Sequence, residues 1–117
     1  MTRRRGEQGA VTAETAVVLP VLVLMAMALA WLVSLGTSQV RAVDGARETA
    51  RALARGEEVD AALGLGRRVA PAGADFRVVT EAGVVRVVVT AVVRGPGDVL
   101  PGFDVRAEAV AAQESGR

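Results

Sequence analysis

The sequence predicts an α+β chain. It has a long N-terminal helix, first membrane-spanning and then amphipathic, a short second helix and a small antiparallel sheet of three strands. Three observations carry that expectation. Residues 15–40 hold no charged side chain. Residues 41–55 then carry charges at three- and four-residue steps, the period of a helix. From residue 76 onward, Val-rich alternating stretches are separated by Gly and Pro, the pattern of short strands and turns.

The first element starts as a membrane span. Its most apolar part, residues 16–35, is interrupted only by Pro20 and Ser34. Twenty helical residues rise about 30 Å, the thickness of a bilayer core. Pro20 removes one helical hydrogen bond, which a membrane helix tolerates as a kink. Within the run, Val17, Val21, Leu24, Ala28 and Leu32 share one face suited to packing against other helices. Arg3, Arg4 and Arg5 precede the run and are opposed only by Glu7. They anchor that end in the cytoplasm and place residues after about 40 outside, by the positive-inside rule. A secretory signal also begins basic and contains small residues such as Ala26, Ala28 and Ala30. Glu14 at the entrance of the run and the length of the run speak against it.

The helix continues beyond the membrane. Arg41, Asp44, Glu48, Arg51 and Arg55 form a solvated stripe, and Val43, Ala46, Ala50 and Leu53 form an apolar one. Arg41–Asp44 and Glu48–Arg51 are spaced to pair. Gly45 weakens the helix by about 1 kcal/mol, and Gly56 ends it. With Thr12 as a possible cap, the helix to Arg55 has a length of about 66 Å.

A second helix is expected over 57–69, with Val59, Leu63 and Ala62 turned inward, followed by a loop at Pro71 and Gly73. Strands follow at 76–81 and 84–94 around a two-residue Ala82-Gly83 turn. That register sets Phe76 opposite Val89 and Val78 opposite Val87, on one face with Val85, Ala91 and Val93. Arg77, Glu81, Arg86 and Arg94 fall on the other face. A slip of one residue would destroy the agreement. Gly95-Pro96-Gly97, Pro101 and Gly102 break the chain. Residues 103–112 then alternate around Phe103, Val105, Ala107, Ala109 and Ala111 as a third strand. The apolar face of the sheet is expected to lie on the first helix, with 113–117 frayed.

Composition narrows the function classes. The chain has 117 residues, room for one small domain. All 14 basic residues are Arg, and Lys, His, Cys and Tyr are missing. Disulfides, thiol or imidazole chemistry and His/Cys metal sites are therefore excluded, and no carboxylate spacing resembles a calcium loop. No cofactor or metal is expected. A net charge of +1 and 3% aromatics give little to bind nucleic acid with. No Gly-rich loop precedes a Lys, so no nucleotide site is expected. Ser34, Ser38 and Ser115 lack a His base, and Glu57-Glu58 are adjacent and point apart on a helix. An enzyme is not expected.

The junction Arg3-Arg4-Arg5-Gly6-Glu7-Gln8-Gly9-Ala10-Val11-Thr12-Ala13-Glu14 carries a further signal. It resembles a class III, type IV pilin-like signal sequence. There a basic leader ends in Gly and Glu is the fifth residue of the mature chain. The resemblance implies cleavage after Gly9 on the cytoplasmic side, with Ala10 as the new N-terminus and Glu14 fifth. Ala13, Glu14, Leu19 and Pro20 are similar to the TadE-like minor pilins of tight-adherence (Flp-type) pili. Many of those carry an aromatic residue after the Glu, where this chain has Thr15. The resemblance is firmest over residues 3–55. It implies a pilin-like fold and processing by a prepilin peptidase. It also implies assembly with other pilin subunits by a platform protein and an ATPase.

In that family the Glu is proposed to set register by pairing with a neighbouring subunit's terminal amine. A carboxylate at the edge of hydrocarbon is costly unless paired, although a helix N-terminus and the headgroup layer also suit it. The implied organisation is a leader at 1–9, a transmembrane and stalk helix at 10–56 and an extracytoplasmic domain at 57–117. The alternative is a single-pass membrane-anchored accessory or binding module that never polymerises.

Overall fold

A computed structural model describes residues 2–95 and 102–114, with side chains from Gly6 onward. Helix α1 runs Thr2–Ala54 and helix α2 runs Val59–Val69. The strands are β1 Asp75–Glu81, β2 Val84–Val93 and β3 Phe103–Ala112. The expected α+β order is present. The chain divides into two compact units, one reaching Leu32 and one starting at Val33.

The first unit is helix alone. It begins at Thr2, well before the Thr12 start expected from capping. Thr12 is no cap: its Oγ1 donates to Gln8 O at 2.8 Å, four residues back inside the helix. Thr15 does the same to Val11 O at 2.9 Å. Back-bonding of this kind satisfies a hydroxyl that has no other polar partner nearby. Helix α1 passes through Pro20 without a break.

The second unit packs helices on one face of the sheet. Strand order is β1-β2-β3, both pairs antiparallel. The register is the one the alternation requires, with Phe76 opposite Val89 and Val78 opposite Val87. Val85, Val87, Val89 and Ala91 are buried, while Arg77, Glu81, Arg86 and Arg94 are exposed. The turn works because Ala82 and Gly83 both take positive φ, 51° and 77°, as a type I′ hairpin turn demands. The third strand lies over the expected residues, with Val105 and Ala107 buried. Phe103 at its start is exposed, although the alternation puts it on the inward side. Of the expected break between β2 and β3, residues 96–101 lie outside the described residues, as do 115–117 of the expected fray. Gln113 and Glu114 are not frayed. Their N–H groups donate to Gly83 O at 2.7 Å and Ala54 O at 3.0 Å.

The core is built from small residues. Ala42, Ala46, Ala50, Ala52 and Leu53 of α1 and Ala62 of α2 meet Val85, Val87, Val89 and Ala107 of the sheet. Val43, Leu65, Phe76 and Val78 close its sides. Alanine on the helices lets them come near a valine surface, and burial of that surface contributes about 25 cal/mol per Å².

Helix α1 ends in a Schellman motif. Gly56 takes φ 88°, its N–H donates to Leu53 O at 3.0 Å, and Glu57 N–H donates to Ala52 O at 3.1 Å. Helix α2 starts at Val59, which is exposed. Ala62 is buried and Leu63 only half-buried, so the inward face turns through Ala62, Leu65 and Gly66 rather than Val59. Among the described residues, the stripe pairs expected on α1 do not form. Arg55 instead bridges to Glu57 at 3.1 Å, and Arg86 bridges to Glu108 at 3.2 Å across the outer sheet face.

Candidate processing and assembly segment

The segment from Gly9 to Leu32 combines a helical glycine, one carboxylate at Glu14 and a long apolar run. Gly9 and Ala10 lie inside α1 and are exposed. A Cβ built on Gly9, or on Gly6, meets nothing within 4 Å. Neither glycine is demanded by packing, and neither has positive φ. Each instead lowers the stability of the helix by about 1 kcal/mol. The backbone here is helical, so a protease that reads extended chain must first open this turn.

Glu14 is exposed, and among the described residues it makes no ion pair and no side-chain hydrogen bond. Its carboxylate lies one helical turn beyond Ala10. Arg3, Arg4 and Arg5 are helical in backbone.

Beyond Glu14, Val17 is 68% exposed, and Val21, Leu24, Ala28 and Leu32 are exposed as well. So are Val18, Leu19, Leu22 and Val23 on other faces. The whole circumference is apolar and unpacked, so no single face is set apart. A helix apolar all round belongs in lipid or in a helix bundle. Length and composition suffice for one membrane crossing, and none of its most apolar window is buried. Among the described residues, no group of three His, Cys, Asp or Glu side chains could hold a metal ion.

A family model described as TadE-like protein matches residues 9–51. Over that stretch the chain is similar to TadE-like proteins. The match opens at Gly9, spans Glu14 and the apolar run, and closes within the buried part of α1. No curated protein and no solved structure matches the chain.

Two features of the chain are not apparent from its sequence. Gly45 is not just a weak point in α1. A Cβ there would meet Ala70 Cβ at 2.9 Å and Gly66 O at 3.2 Å. Ala62, Gly66 and Ala70 recur every four residues, the one signal that could have announced a close helix crossing. Arg47 was likewise missed, although Arg47, Arg51 and Arg55 also stand four apart on one side of α1.

Proposed function

We propose that this chain is a structural, minor pilin-like subunit of a Tad (Flp-type) type IV pilus. It is inserted in the cytoplasmic membrane with its N-terminus inside and residues beyond about 40 outside. A prepilin peptidase removes the leader after Gly9. The chain then leaves the lipid and packs its apolar helix, with Val17, Val21, Leu24, Ala28 and Leu32, against other pilin subunits. A platform protein and an assembly ATPase act on it indirectly. The role is structural rather than catalytic.

The observation that carries this reading is the junction itself. Gly9 has no packing reason to be glycine, and five residues later one carboxylate stands at the mouth of a fully exposed apolar run. The TadE-like match beginning at Gly9 supports the same point. Cleavage leaves an ammonium on Ala10, which can neutralise a Glu14 carboxylate that has no partner among the described residues. The exposed apolar run is stable in lipid and, after extraction, only in a bundle of its own kind.

The test is the N-terminus of the protein purified from its own cells, read by mass spectrometry. A chain beginning at Ala10 is expected. An intact or Met-trimmed N-terminus would overturn the pilin route in favour of a permanently anchored accessory module. A start near Leu29 or Trp31 would mean ordinary secretion.

A further inference from the structure

The edge of the sheet beside α1 is tied at two points and open between them. Gln113 N–H donates to Gly83 O, so odd-numbered residues of β3 aim their backbone groups at β2 and even-numbered ones aim outward. Gln39 Nε2 donates to Arg106 O at 3.0 Å at one end of the outward row. Glu114 N–H donates to Ala54 O at 3.0 Å at the other. These ties set α1 and β3 side by side, running the same way. Between them the outward N–H and C=O groups of Glu108, Val110 and Ala112 have no partner among the described residues.

A groove of about 430 Å³ opens at this edge. Ala109, Val110 and Ala111 form its strand wall, and Arg47, Arg51 and Arg55 line its helix wall. Arg47 and Arg51 are exposed and have no acidic partner among the described residues, whereas Arg55 is shared with Glu57. Among the lining residues only Glu114 is acidic.

The spacing of the two walls matches an extended chain. Residues four apart on a helix step about 6.0 Å. Residues two apart on a strand step about 6.7 Å. A strand laid beside β3 therefore brings every second side chain to successive arginines. We propose that this groove docks an extended partner segment with carboxylates at alternate positions, added as a fourth strand beside β3. The unpaired backbone of β3 supplies affinity and the arginine row selects the acidic pattern. This docking does not depend on cleavage after Gly9 or on assembly. The competing account is that the arginines only blunt the edge against chance pairing.

The experiment uses the full chain in neutral detergent micelles and fluorescence anisotropy with a labelled peptide, Thr-Glu-Thr-Glu-Thr-Glu-Thr. Two controls share its composition or sequence: Glu-Glu-Glu-Thr-Thr-Thr-Thr, and the alternating peptide with its backbone N-methylated throughout. The alternating peptide is expected to bind about tenfold or more tightly than either control. The double substitution Arg47→Glu with Arg51→Glu is expected to weaken it by a similar factor at an unchanged thermal transition. No binding, equal binding of the block peptide, or equal binding of the methylated peptide would each overturn the proposal. The peptide arms need no variant, so a double substitution that unfolds the chain leaves the test decisive.

Discussion

Gly66 of α2 faces Thr49 of α1 so closely that a Cβ on Gly66 would land on Thr49 Oγ1. The same Cβ would sit 2.9 Å from Gly45 O and 2.9 Å from the Phe76 ring. Thr49 is fully buried, and its hydroxyl has no hydrogen-bond partner among the described residues. An orphaned buried hydroxyl costs about 1–3 kcal/mol. That cost is carried at the crossing where the two helices and the first strand meet. The Arg67 guanidinium, 6.0 Å from the centre of the Phe76 ring, covers the same spot from outside.

The crossing separates two glycines of one helix. Gly66→Ala is expected to lower stability by about 1–3 kcal/mol, because overpacking outweighs the gain in helix propensity. Gly64→Ala, where a Cβ meets nothing within 4 Å, is expected to raise it by up to about 1 kcal/mol. Thermal circular dichroism of the full chain in detergent distinguishes them. Equal shifts in Tm for the two variants would contradict the crossing.

The hairpin turn holds a non-glycine residue at φ 51°. Asn tolerates that region better than Ala and precedes Gly in the favoured two-residue turn. Ala82→Asn is therefore expected to raise stability by about 0.5–1 kcal/mol. The readout is the same melt, and a lowered Tm would argue against a type I′ turn.

The end of α1 depends on backbone that side chains resist. Gly56 has φ 88° and open space around it, so Gly56→Ala meets no clash, only conformational strain. A loss of about 1–2 kcal/mol is expected. A urea midpoint unchanged from the parent chain would rule out the Schellman termination.

Cleavage after Gly9 requires a protease to approach a backbone that is helical and to open it. Gly9→Leu stiffens that turn and adds bulk at the proposed cut. When coexpressed with a prepilin peptidase, this variant is expected to be cut about a hundredfold more slowly than the parent. Gel mobility reports the loss of the leader. Unchanged processing would mean that the cut lies elsewhere.

Glu14→Gln removes the charge and keeps the shape. The helix remains apolar, so membrane insertion is expected to be unchanged or slightly improved. Under the proposed cleavage and assembly, recovery of the chain in the sheared surface fraction is expected to fall at least about tenfold, because an Ala10 ammonium would lose its counter-charge. Undiminished recovery would show that Glu14 serves only the helix end or the headgroup layer.

Local patterns carried much of this architecture. The charge gap at 15–40 is a composition signal and announces the apolar helix without any knowledge of contacts. The hairpin register, Phe76 against Val89, follows from a period of two and a two-residue turn. Gly56 as a stop is equally local. The helix start was misjudged because Thr12 looks like a cap, yet nothing in the chain before it forbids helix and its hydroxyl turns back to Gln8 O. The stripe ion pairs failed for a similar reason: exposed pairs are worth too little to hold two long side chains together.

The sequence by itself determined the element order, the apolar run with Glu14 at its mouth, and the faces of the sheet. These depend on neighbours two to four residues away, where periodicity speaks directly. Only the tertiary structure decided that Gly45 and Gly66 are packing residues, that Glu114 closes the end of α1 on Ala54, and that Arg47, Arg51 and Arg55 border an open strand edge. Those relationships join residues up to 67 positions apart, as Gln39 and Arg106 are. Backbone periodicity carries no information about such distances; they are set by how closely alanine and glycine let the helices approach each other and the valine sheet.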